Sequence, residues 1–173
     1  MGLKMAGIVL IIAGCGAWGL IGAGRISTRV KQLKELRLAM NFLEKEITCM
    51  YVPLPQALAR TAQFCEKPIS LLFLEGSRCL EAKTGATAGE AWKRGVDSIR
   101  TRSELKETDL KLITTVADQL GRSSADEQKK IFRLIDEELR IQEKKARQEM
   151  ESEQKIWLYG GFMVGAVVVL LLI

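Results

Sequence analysis

The sequence predicts an all-α protein: an antiparallel helical bundle of about six helices, flanked by N- and C-terminal transmembrane helices. Three observations predict it. Apolar residues between 25 and 155 recur at steps of three and four, the period of a helix with one buried face. No stretch alternates apolar and polar residues as a half-buried strand would. The charges are segregated: residues 5–24 and 156–173 carry none, and every charged side chain except Lys4 lies between Arg25 and Lys155. The chain therefore divides into a span over 1–24, a cytoplasmic bundle over 25–155 and a second span over 156–173.

Each run is about as long as a helix needs to cross a hydrocarbon core. Trp157 and Tyr159 stand at the near edge of the second, where amphipathic rings favour the headgroup level. Arg25, Arg29, Lys31, Lys34 and Arg37 follow the first run, and Lys144, Lys145, Arg147 and Lys155 precede the second. Basic flanks stay on the cytoplasmic side, so the middle faces the cytoplasm and both termini face outward. Ala13 and Ala17, Gly19 and Ala23, and Gly161 and Gly165 are pairs four apart, a spacing that lets helix backbones approach in lipid. Ile12-Ala13-Gly14-Cys15 also has the form of a lipoprotein cleavage box. The apolar run continues through Ile21 and then meets the basic cluster, which favours a retained span. A lipid-anchored extracytoplasmic binding protein built on Cys15 is the alternative, and a membrane-bound signalling helix bundle is another.

In the middle segment, Ile26, Val30, Leu33, Leu36, Met40, Leu43, Ile47 and Met50 form the stripe of a first long helix. Pro53 and Pro55 end it, because the residue before a proline disfavours helical geometry. Pro55 is read as the first residue of the next helix, with Leu58, Ala62 and Cys65 or Ile69 inward. Pro68 opens a third helix, with Leu72, Phe73 and Leu80 inward and Gly85 as a stop. Thr87-Ala88-Gly89-Glu90 fits a capping box that starts a helix burying Ala91, Trp92, Val96 and Ile99. A single helix is expected from Glu104 to Leu120, with Leu105, Leu112, Ile113 and Val116 inward and Gly121 as a left-handed cap. Ser124-Ala125-Asp126-Glu127 is a second capping box. It starts the last helix, with Ile131, Leu134, Ile135, Leu139 and Ile141 inward.

The composition excludes much chemistry. The chain has no histidine, so the commonest general base and metal ligand are missing. Cys15, Cys49, Cys65 and Cys79 form no C-x-x-C pair, and the last three read as small buried apolar groups. Lys83-Thr84 lacks the glycines of a phosphate-binding loop. The acidic pairs Glu44/Glu46 and Asp136/Glu137/Glu138 read as solvated helix faces. Basic and acidic residues are interleaved with few aromatics, which argues against nucleic-acid binding. No catalytic residue, cofactor or metal is assigned, and the protein is read as no enzyme.

The topology, together with residues 43–58, LEKEITCMYVPLPQAL, resembles the stage III sporulation protein AB family (SpoIIIAB) of endospore-forming bacteria. The residues that carry the resemblance are Glu46, Ile47, Pro53, Leu54, Pro55, Ala57 and Leu58, followed by Trp92, Gly121, Asp126 and Gln128. Cys49-Met50-Tyr51, Val52 and Gln56 depart from the family pattern. The family's cytoplasmic domain is similar to the GspF-like platform proteins of type II secretion and type IV pilus machines. The resemblance implies a scaffold of the SpoIIIA–SpoIIQ channel between mother cell and forespore. Such a scaffold sits in the outer forespore membrane, its bundle in the mother-cell cytoplasm beside the ATPase SpoIIIAA and other SpoIIIA proteins. A homo-oligomer is compatible with it, and residues near the VPLP turn or the Gly121–Asp126 turn are expected to contact the ATPase.

Overall fold

The structure is a computed structural model that describes residues 27–82, 85–118 and 125–172, with side chains at 118, 125, 126, 128 and beyond 152 left out. The described residues are helices and connecting turns, without strands. In chain order they are α1 (27–48), α2 (Leu54–Phe64), α3 (Ile69–Glu81), α4 (Ala88–Arg100), α5 (Glu107–Thr114) with a 3-10 turn over Thr115–Asp118, and α6 (Ala125–Leu172). Contacts divide the chain into two units, one of Arg29–Lys144 and one of Met1–Thr28 with Lys145–Ile173.

In the unit of Arg29–Lys144, α1 runs antiparallel to α2 and to α6. The partners show it: Phe42 meets Phe64 while Glu46 meets Arg60, and Arg37 meets Glu143 while Asn41 meets Asp136. The core is made of Leu33, Leu36, Met40 and Leu43 from α1, Leu58 from α2, Leu72 and Phe73 from α3, Trp92, Val96 and Ile99 from α4, and Leu110 and Ile113 from α5. Helix α6 adds Phe132, Ile135 and Leu139. Phe73 and Trp92 meet edge to face at 5.9 Å, and the Trp92 Nε1–H donates to the Ile113 carbonyl at 2.7 Å. One side chain thus packs α3 and pins α5 while satisfying its own polar atom.

Helices α3 and α4 lie close because glycines face the contact. A Cβ on Gly95 would sit 2.3 Å from the Leu72 carbonyl oxygen, whereas one on Gly76 would make ordinary contact with Leu58 at 3.4 Å. The Thr87 capping box is formed: Thr87 Oγ1 accepts the Glu90 N–H at 3.3 Å, and Glu90 Oε2 accepts the Thr87 N–H at 2.9 Å. These bonds favour the charged carboxylate and hold the Glu90 pKa below its ordinary value.

A buried ion pair ties the first helix to the fifth. Arg29, 4% exposed, meets the fully buried Asp109 with Nε to Oδ2 at 2.9 Å and Nη2 to Oδ1 at 3.1 Å. Asp109 Oδ2 also accepts the Lys106 N–H at 2.9 Å and so caps α5. The fork fixes α5 in register and orientation, which eight residues cannot fix through helix propensity alone. Beside it, the Glu104 N–H donates to Gln32 Oε1 at 2.8 Å.

Several expectations are corrected. The helix expected over 104–120 starts at Glu107, after an extended Lys106, and tightens into the 3-10 turn at Thr115. Thr114 and Thr115 hydroxyls donate back to the Leu110 and Leu112 carbonyls, a competition that disturbs a helical ladder. Leu110 is buried and Leu112 only partly. In α6 the buried stripe is Phe132, Ile135, Leu139, Glu143 and Ala146; Leu134 and Ile141 are 62% and 38% exposed. Apolar residues occupy two faces of α6, and the core face includes Glu143, which accepts from Arg37 Nε at 3.3 Å. Cys79 is buried where Leu80 was expected, while Cys49 is exposed and Cys65 half-buried. Glu46 is buried and Asp136 is half-buried, so neither is a freely solvated acid.

Among the described residues no helix is long and apolar enough to cross a membrane. Ala13, Ala17, Gly19 and Ala23 lie outside the described residues, as do Cys15, Gly121 and Ser124; Gly161 and Gly165 fall within α6, in the part whose side chains are left out.

Replacing one member of the buried pair strands the other charge. Arg29→Met or Asp109→Leu alone should lower unfolding stability by about 3–5 kcal/mol in urea titrations followed by circular dichroism. The double replacement should cost clearly less than either. Gly95→Ala should cost about 2 kcal/mol by overpacking, and Gly76→Ala much less; equal losses at the two positions would refute the close α3–α4 approach.

Candidate functional site: the α1–α2 turn and the surface around it

Glu46, Ile47, Pro53, Leu54, Pro55, Ala57 and Leu58, of the residues that carry the family resemblance, gather at the turn between α1 and α2. Helix α1 ends at Thr48 in a widened turn: the Cys49 and Met50 N–H groups both donate to the Lys45 carbonyl, and the Val52 N–H donates to the Glu46 carbonyl at 2.9 Å. This closure puts Tyr51 in the left-handed region at φ 53°, the place a glycine usually takes at a helix end. An L-residue there is strained by its Cβ. Tyr51 is nonetheless 80% exposed and its neighbour Met50 66% exposed, so the strain buries neither side chain.

Pro53 is the N-cap of α2 and its carbonyl accepts the Ala57 N–H at 3.0 Å, so the helix begins at Leu54. Pro55 is therefore the second helical residue rather than the first; neither position needs a free N–H. The Pro55 carbonyl accepts the Ser77 hydroxyl at 2.9 Å, which joins the turn to α3. Ala57 and Leu58 are buried in the α2–α3 contact. Glu46 faces the core side of α1 and accepts from Arg60 Nη1 at 3.0 Å, an ion pair bracing the two arms below the turn. Ile47 is half-buried, because the buried stripe passes from Leu43 to Glu46 instead. Phe42 and Phe64 stack at 5.2 Å on the same pair of helices, with Phe64 58% exposed.

The other motif residues are elsewhere. Trp92 is in the core of the α3–α4–α5 contact. Asp126 and Gln128 fall within α6 with their side chains left out, and Gly121 lies outside the described residues.

Among the described residues no cluster of His, Cys, Asp or Glu is placed to hold a metal. Burial, with Glu35 nearby, pushes the Cys65 thiol up to about 12, away from thiolate chemistry. The turn presents exposed apolar side chains on a braced support, which suits contact rather than catalysis.

The comparisons with known proteins agree with the motif. The family model for stage III sporulation protein AB matches residues 4–173. The chain belongs to the stage III sporulation protein AB family. The stage III sporulation protein AB of Bacillus subtilis (strain 168) is 28% identical over 170 residues, which cover 98% of this chain and 99% of the relative. A solved structure of stage III sporulation protein AB (SpoIIIAB) superposes with a TM-score of 0.68 at 27% identity, covering 72% of this chain and 97% of that one.

Sequence reasoning missed two polar features of this stage III sporulation protein AB family member. Arg29 was read only as a membrane-flanking charge, although Lys106 and Asp109 have the spacing of a helix N-terminus. Arg94, Ser98 and Arg102 recur every four residues along α4 and just past its end, and that spacing was the signal for a basic cleft described below.

Tyr51→Gly should raise unfolding stability by about 1 kcal/mol by relieving the left-handed backbone. An unchanged or lowered stability in the same urea titration would show that the Tyr51 backbone stores no strain.

Proposed function

We propose that this protein is a non-enzymatic platform of the SpoIIIA–SpoIIQ channel, coupling the cytoplasmic ATPase SpoIIIAA to the membrane complex during endospore formation. The observation that carries the reading is the family match along nearly the whole chain. The all-helical fold, without an arrangement for catalysis among the described residues, is consistent with a scaffold. In this proposal residues 1–24 and 156–173 span the outer forespore membrane with both termini in the intermembrane space, and the bundle lies in the mother-cell cytoplasm. The basic flanks support that orientation. The ATPase docks at the α1–α2 turn, where Met50 and Tyr51 supply apolar contact area on a turn braced by the Glu46–Arg60 pair.

The docking is tested by co-purification from sporulating cells. The protein should bring down SpoIIIAA, and Met50→Asp with Tyr51→Asp should abolish recovery while leaving the helical circular dichroism unchanged. Undiminished recovery would remove this turn as the docking site; no recovery with the unaltered protein would remove the coupling itself.

The orientation is tested at Cys49, the exposed thiol among those described. A membrane-impermeant maleimide should leave Cys49 unlabelled in intact cells and label it after permeabilisation. Cys79 is buried and the Cys65 thiol is held protonated, so both should label slowly in either case. Labelling of Cys49 in intact cells would place the bundle outside and favour the lipid-anchored alternative.

A further inference from the structure

An open cleft of about 530 Å³ lies between α3 and α4, and its walls are basic. Arg78 comes from α3; Arg94 comes from α4, and Arg102 from just beyond its end. Glu75 is the one acid lining it, and the buried Cys79 and the half-buried Ser98 also line it. Arg78 pairs with Glu75 at 2.9 Å, but that pair joins residues three apart on one helix with the arginine 64% exposed, a weak and salt-screened arrangement. Arg94 and Arg102 are exposed, and no described carboxylate forms an ion pair or hydrogen bond with either; Arg94 acts on Glu90 only through its field.

We propose that this cleft binds an acidic peptide segment of a partner protein. The chemistry of the walls selects that ligand. A guanidinium presents paired N–H donors whose spacing matches a carboxylate, and the three are distributed along two helices rather than gathered on one point. A chain carrying several carboxylates can meet them in turn. A nucleotide would lack a base platform, because no aromatic side chain lines the cleft. A lone phosphate would lack a cradle, because the lining residues of α3 and of α4 up to Arg100 lie in helices whose backbone N–H groups are already used. Occupation costs the loss of the Arg78–Glu75 pair at most. The proposal stands apart from ATPase docking at the α1–α2 turn and survives its failure.

The test uses the full chain in lipid nanodiscs and a fluorescein-labelled peptide of alternating glutamate and alanine, read by fluorescence anisotropy at low and physiological salt. Binding is expected to weaken with salt. Arg94→Glu with Arg102→Glu should weaken it on the order of tenfold. Lys111→Glu with Lys130→Glu makes the same change of charge at exposed residues outside the cleft and should leave binding nearly intact. Arg94→Gln with Arg102→Gln, checked by circular dichroism, should give an intermediate loss without a change in helicity. Equal loss in the cleft and control variants would mean attraction to net charge alone and overturn the site. Displacement of the peptide by inorganic phosphate or ATP at a concentration near that of the peptide itself would make this a small-anion site and overturn the peptide reading.

Discussion

The fork between Arg29 and Asp109 is the constraint on which the arrangement of the bundle depends. Its two charges have left water almost completely, and each is tolerable there only because the other is in place. Such a pair contributes little net stability compared with well-packed apolar side chains, but it penalises every arrangement that separates its members. The penalty matters because α5 is short and follows an irregular stretch. Lys106, Asp109, Gln32 and Glu104 extend the same locked region, so a segment of low intrinsic helicity is held by polar contacts to the first helix. Helix α1 in turn acts as the common partner, meeting α2 through Glu46 and Phe42, and α6 through Arg37 and Asn41.

The fold class was legible because its signals are local. The apolar period of α1, the capping box at Thr87 and the two prolines at 53 and 55 each report on a few neighbouring residues, and all coincide with elements of the structure. What stayed illegible is set by contacts between distant residues. Nothing near Arg29 in the chain reveals a partner 80 residues away, and a charge beside an apolar run naturally reads as a membrane flank. The phase of α6 was legible only in part, for a related reason: Ile135 and Leu139 are buried as expected, whereas Leu134 and Ile141 are not. Apolar residues on two faces leave the choice of inner face to the neighbouring helix, and here the winning face contains Glu143, which pairs with Arg37. The three cysteines beyond Cys15 looked alike by composition and turned out to occupy a surface, a boundary and a core.

The candidate site divides the same way. The Val-Pro-Leu-Pro turn announces itself through backbone restrictions that any chain obeys. The left-handed Tyr51 does not, since it follows from a helix end closed by the Val52 N–H on the Glu46 carbonyl, a pairing that composition alone would assign to glycine. Membership of the stage III sporulation protein AB family was carried by that short motif and its setting, and it holds along the whole chain at modest identity. The basic cleft was passed over because arginines on a helix face ordinarily mean solvation. Its meaning depends on a second helix bringing Arg78 to the same space.

The contact at Gly95 has a consequence for how the sequence can drift. Most core positions accept another apolar residue when neighbours shift to make room. Position 95 has no such freedom, because the obstacle facing it is the peptide group of Leu72 and not a side chain that can swing aside. The close approach of α3 to α4, and with it the spacing of the cleft walls, therefore rests on a glycine at position 95 whatever side chains those walls carry.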